Sequence, residues 1–128
     1  MIQNFNKFFE SKNTKIELEG LVNEYLVYLM DDNIIVEIFE GNDNVYEIKI
    51  KIDYRKAKWN KLLIWSNIKD DIVPFIELLQ LKGYQILPNI GFMDSKGIIH
   101  YHNLSEIDDN DFQRKLRIMF NAIIISVI

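Results

Sequence analysis

His100 and His102 are the only histidines of the chain, and they stand two residues apart. On a β-strand, residues at that spacing point to the same side. Two imidazoles so placed could share a zinc or nickel ion if a third ligand joined them. No third ligand is evident in the sequence, and two-ligand spacings recur by accident. The alternative is a solvent-facing pair on a strand whose Ile99 and Tyr101 face inward. An acid–base role for either ring lacks a partner nucleophile. Glu106, Asp108, Asp109 and Asp111 form an acidic run nearby. Calcium loops need a central glycine and a terminal glutamate, which this run lacks. It reads more simply as the electrostatics of a helix start.

A second cluster is basic. Lys49, Lys51, Arg55, Lys56, Lys58 and Lys61 are set against Asp53 alone, a net +5 in a chain whose total is -4. Tyr54 and Trp59 are interleaved. A basic segment with aromatics has the form of a nucleic-acid surface. The opposing reading is a solvated strand face running into a charged loop, which the overall acidity favours. Trp59, among lysines and an asparagine, is either an exposed binding anchor or buried by a folded-back loop. Trp65 lies in an apolar run and reads as core.

Other chemistry is excluded or unsupported. The chain has no cysteine, so it has no disulfide, zinc-thiolate site, iron–sulfur cluster or thiol nucleophile. The glycines at 20, 41, 83, 91 and 97 make no phosphate-binding pattern, and no nucleophile elbow, Walker loop or zinc-protease helix occurs. The expectation is a non-enzymatic protein with no cofactor. The N-terminal residues lack the apolar stretch of a signal peptide, and no apolar run approaches the ~20 residues of a membrane helix. A cytoplasmic protein is expected. Abundant isoleucine and asparagine, with lysine far above arginine, suit an AT-rich genome.

With 128 residues, 48% of them hydrophobic, the chain fits a single domain, residues 1–128, with a core of its own. Ile2, Phe5, Phe8 and Phe9 have helical spacing and would press three phenylalanines on a sheet. Strands are predicted at 15–19, 25–30, 34–40 and 45–53, with turns at Asp31-Asp32-Asn33 and Gly41-Asn42-Asp43-Asn44. Ile48, Ile50 and Ile52 share one face of the last strand, and Glu47, Lys49, Lys51 and Asp53 the other. Residues 54–60 read as a polar loop and 62–65 as a further strand. Asp70 and Asp71 suit a helix start, Pro74 its first turn, and Gly83 its stop. Residues 90–93 and 98–102 flank Asp94-Ser95-Lys96-Gly97 as a hairpin. A final helix is predicted from Asp108–Asp111, with Phe112, Leu116, Met119 and Ile123 on one side, although its last residues are β-branched. Strands and helices do not alternate one for one. The fold class is therefore α+β: an antiparallel sheet of about five to seven strands with N-terminal, central and C-terminal helices on one face.

This order of elements resembles the YbjN family and the related type III secretion chaperone-like fold. Residues 91–104, from Gly91-Phe92-Met93 to His102-Asn103-Leu104, followed by Asp111-Phe112 and the terminal helix, resemble that family's closing strand pair and helix. The resemblance is one of layout over most of the chain, without a diagnostic motif. It implies a non-enzymatic, often dimeric domain that binds another polypeptide.

The leading expectation is thus a protein-binding module, chaperone-like or regulatory, acting as a homodimer. Ile124, Val127 and Ile128 belong to an apolar terminal segment that exceeds one helix face, and surplus apolar surface marks interfaces. Lys49, Lys51, Arg55, Lys56, Lys58 and Trp59 are the other partner-binding candidates. One alternative is an immunity or anti-defence inhibitor from a mobile element or virus, suggested by small size and acidity. Another is a nucleic-acid-binding domain using residues 49–61.

Overall fold

Leu18, Leu21, Val22 and Leu26 follow the three- and four-residue steps of a helix, and all four are buried. The computed structural model describes residues 2–31, 33–53, 55, 63–107 and 120–128. In it a helix, α1 (Ile2–Tyr25), replaces the strand expected at 15–19. Five alternating residues fit either period. The following turn decides, because Leu21 and Val22 extend a helical stripe and leave Ile16 58% exposed. The run 25–30 is not a strand either: α2 (Val27–Asp31) buries Leu29 and leaves Val27 and Tyr28 outside. Phe5, Phe8 and Phe9 stand in α1, but their side chains lie outside the described residues.

The next two strands form where alternation is cleanest. β1 (Ile34–Glu40) and β2 (Tyr46–Ile52) pair antiparallel, from Ile34 opposite Ile52 to Glu40 opposite Tyr46. Asp43 and Asn44, at φ 58 and 61, take the two left-handed positions between them. Aspartate and asparagine tolerate that region, and such a turn matches the twist of a hairpin.

The central helix, α3 (Trp65–Leu81), begins earlier than predicted. Its N-cap is Ile64, with no side-chain cap, and Asp70 and Asp71 fall inside it. Trp65, Ile68, Ile72, Phe75, Ile76 and Leu79 make a buried stripe long enough to outweigh that missing cap. Pro74 is also interior, on the exposed side, where it removes one helical hydrogen bond. No strand forms at 63–65; Leu63 makes an isolated bridge with Phe120, and Leu62 lies outside the described residues. Gly83 ends the helix as predicted, at φ 96, with Tyr84 N–H donating back to the Leu79 carbonyl at 3.0 Å.

β3 (Ile86–Met93) and β4 (Ile99–His102) form the second expected hairpin, with Gly97 at φ 83 in its turn. A single helical turn, α4 (Leu104–Ile107), follows. The largest correction comes last. Residues 122–127 do not end a helix; they form β5 (Ala122–Val127), the middle strand of the sheet. The order is β1-β2-β5-β3-β4, antiparallel throughout. A run rich in β-branched residues, with 123, 125 and 127 all buried on one side, suits a central strand. The helix start expected at Asp108–Asp111, with Phe112, Leu116 and Met119, lies outside the described residues.

The fold is α+β, and its core occupies one side of the sheet. Tyr46, Ile48, Ile50 and Ile52 of β2, Ile123, Ile125 and Val127 of β5, and Ile90 and Phe92 of β3 join the buried stripes of α1 and α3 in one cluster. Tyr84, just past α3, lines a hollow with Glu17 of α1. Burial first, and then the hydrogen bond to Glu17, push its phenol up to about 12. A raised folded-state value contributes stability below the unfolded value near 10, lost as pH rises through about 12. Spectrophotometric titration should therefore resolve one tyrosine ionising near pH 12, and Tyr84→Phe should remove that step. A titration unchanged by the substitution would contradict the assignment.

Candidate functional site: the uncovered sheet face

Alternation along the strands leaves a second face, opposite the core. β1 contributes Ile35, Glu37 and Phe39 to it, and β2 contributes Glu47, Lys49 and Lys51. Register carries the face across β5 through Ala122, Ile124 and Ser126, then to Gly91 and Met93, and then to Ile99 and Tyr101. The buried helical side chains that are described join the core on the other side, so among the described residues no helical side chain covers this one.

Near the β1–β2 end the face is hollow. A concavity of about 830 Å³ is lined by Ile35, Met93 and Ala122 among the apolar residues, and by Lys49, Lys51 and Arg55 among the cations. Lys51 bonds Glu37 at 2.6 Å across the strand pair. Arg55 bonds Asp53 through both Nε and its own backbone N–H, at 3.0 and 3.1 Å. Asp53 is 3% exposed and is the buried ionised side chain among the described residues. Its carboxylate keeps Arg55, already a permanent cation, firmly protonated, by hydrogen bond and then by charge. Lys49 differs from its two neighbours. It is half-buried and stands directly opposite Glu37, yet no ion pair or hydrogen bond joins it to any described residue.

At the β3–β4 end the face is aromatic and close-fitting. Gly91 lies opposite Tyr101 and beside Ile124. A Cβ there would come within 3.0 Å of Ile99 Cγ2 and 3.3 Å of Tyr101 Cε1. The missing side chain lets these neighbours close over the strand, while Tyr101 stays 54% exposed.

The two faces of β4 are the reverse of those expected, since Ile99 and Tyr101 lie on the face away from the core. His100 and His102 do share a side, but it is the side of Phe92 and Ile90. His102 meets the Phe92 ring edge-on, with centroids 5.7 Å apart. Each imidazole is hydrogen-bonded to a carboxylate: His100 Nε2 to Asp94 at 2.9 Å, His102 Nδ1 to Glu106 at 3.0 Å. The Asp94 carboxyl is held below the usual range, first by His100 and then by the Ile98 N–H that it accepts. Among the described residues, no three histidine, aspartate or glutamate side chains gather as a metal ion requires. Glu106 of the acidic run serves the His102 pair, and Asp108, Asp109 and Asp111 lie outside the described residues.

Lys49, Lys51 and Arg55 thus come together on one hollow, whereas Lys56, Lys58, Trp59 and Lys61 lie outside the described residues. The terminal candidates separate. Val127 is fully buried in the core, Ile124 is half-buried on the uncovered face, and Ile128 is 45% exposed beyond the strand. The apolar surplus that suggested an interface is mostly used to fill the middle of the sheet. Sequence reasoning missed Ile35, Met93 and Ala122 as the floor of the hollow. Strand alternation placed Ile35, but nothing local indicated that residue 122 would sit between β2 and β3.

Comparison with protein-family models, with curated proteins and with solved structures found no match in any of the three. No described helix is long and apolar enough to cross a membrane.

Proposed function

We propose that this chain is a non-enzymatic protein-binding module, chaperone-like or regulatory, and that the uncovered sheet face is its working surface. The observation that carries this reading is the half-buried Lys49, unpaired among the described residues, above an apolar floor. A cation that no described carboxylate holds in an ion pair is available to an incoming carboxylate, and its aliphatic stem adds apolar contact. The floor of Ile35, Met93 and Ala122 adds apolar contact. An acidic segment of a partner protein with apolar side chains satisfies both.

Nucleic acid fits less well. Phosphate binding draws on several free cations, and Glu37 and Asp53 already neutralise Lys51 and Arg55. The experiment compares wild type with Lys49→Glu as baits for proteins of the source cell, with Lys82→Glu, on an exposed residue after α3, as control. Wild type and Lys82→Glu are expected to retain a common partner that Lys49→Glu holds about tenfold or more weakly, a loss of about 1.4 kcal/mol. Equal capture by all three would refute the surface. Salt-dependent DNA or RNA binding lost in Lys49→Glu would transfer the site to nucleic acid.

A further inference from the structure

We propose that a second copy of this chain joins the sheet through β1, antiparallel to its own β1, with Val36 on the two-fold axis. The hydrogen-bond parity of the hairpin comes first. Asp53 N–H donates to the Asn33 carbonyl at 2.8 Å, and Gly41 N–H to the Val45 carbonyl at 2.7 Å. In an antiparallel pair, bonded positions alternate. Asn33, Ile35, Glu37 and Phe39 therefore turn their backbone toward β2, and Ile34, Val36 and Ile38 turn theirs outward. No strand pairs with that outer edge among the described residues, and no backbone bond outside the sheet reaches those three residues.

Such an edge invites another strand, and proteins guard against it with lysine, proline or a very short strand. β1 has neither residue and runs for seven positions, whereas the opposite edge, β4, has four and is followed by α4. Val36 and Ile38 are only partly buried, although they belong to the core side. α1 and α2, the helices packed on β1, carry Tyr25 and Tyr28 at 45% and 76% exposure. The open edge and these exposed aromatics thus belong to elements packed against one another.

Charge and parity select both the occupant and the register. Outward positions must face outward positions, and of the symmetric centres this allows, Val36, Glu37 and Ile38 give the longest overlaps of β1 with its copy. Centring on Glu37 sets two glutamates directly opposite each other, which is destabilising. Centring on Ile38 sets Val36 against the partner's Glu40. Centring on Val36 sets Ile34 against the partner's Ile38 and Val36 against its own copy, one unbroken apolar row. The result is one sheet continuous through both copies, with the helices on a common side. It leaves the Lys49 face open in each copy.

The absence of native cysteine makes the register directly readable. Single-cysteine variants Val36→Cys, Glu37→Cys and Ile38→Cys are oxidised in a glutathione buffer. Opposed Cα atoms in a bonded pair lie about 5.5 Å apart, within disulfide reach. The Val36→Cys protein is expected to cross-link about tenfold or more above the other two. Light scattering at micromolar concentration should give a dimer for wild type. Ile38→Pro removes only an outward N–H, which an edge strand tolerates, and it should shift the protein to monomer while the far-ultraviolet spectrum stays native. A monomeric wild type, stronger cross-linking at 37 or 38, or an unchanged dimer in Ile38→Pro would each overturn the proposal. If Ile38→Pro is monomeric, it should still hold the Lys49-dependent partner, so the two proposals fail separately.

Discussion

Trp65→Ala is expected to lower the stability of the domain by about 3–5 kcal/mol, the range for truncating a buried aromatic. Trp65 is the largest fully buried side chain, at 0% exposure. Its indole N–H donates to the Ile107 carbonyl at 3.2 Å, so the first residue of α3 holds the last of α4. Its ring meets Phe92 of β3 at 5.3 Å, nearly perpendicular, and Phe92 meets Phe120 in the same way at 5.2 Å. Truncation opens a cavity under three elements and leaves a buried carbonyl without its donor. Trp65→Phe keeps most of the ring and should lose only about 1–3 kcal/mol, mainly for that carbonyl. Urea unfolding measures both. Equal losses for the two substitutions would contradict the packing described here.

Ile125→Ala should cost about 2–5 kcal/mol, and Ile124→Ala clearly less, under about 1.5 kcal/mol. Ile125 is fully buried, opposite Ile48 on the core side, whereas Ile124 is half-buried on the uncovered face beside Gly91. The difference tests the central strand directly. In a strand, 123, 125 and 127 act together and 124 and 126 stand apart; a helix groups 123 with 127 and separates 125 from both. Denaturation midpoints that put 124 with 125 would contradict the strand.

Much of the architecture was legible. The β1–β2 hairpin, the β3–β4 hairpin, the stop at Gly83 and the one-sided helical layer all follow from local periods and turn residues. The misreadings share a cause. Residues 15–19 alternate by coincidence within a helix whose stripe appears only when Leu18 is joined to Leu21, Val22 and Leu26. Asp70 and Asp71 look like a cap, but the cost of an uncapped start is small beside the burial of Trp65 and Ile68. Ala122–Val127 is apolar but for Ser126, so neither period marks it clearly, and its insertion between distant strands makes it β. The candidate site was half legible. Alternation placed Lys49 and Lys51 on one face, but the concavity depends on Met93 and Ala122, which arrive by long-range pairing.

That late insertion bears on how the protein is made. The chain emerges from the ribosome N-terminus first, at about 5–20 residues per second. β2 is complete at residue 52, and its inner neighbour is not complete until residue 127. For roughly 4–15 seconds at that rate, the β1–β2 hairpin waits without that neighbour, and for about the last 1–5 seconds the β3–β4 hairpin, complete at residue 102, waits beside it. Local contacts cannot close that gap, because Tyr46 must wait for Val127. Completion of the sheet is accordingly a late event, and until then each newly made chain presents the inner edges of β2 and β3 to its surroundings.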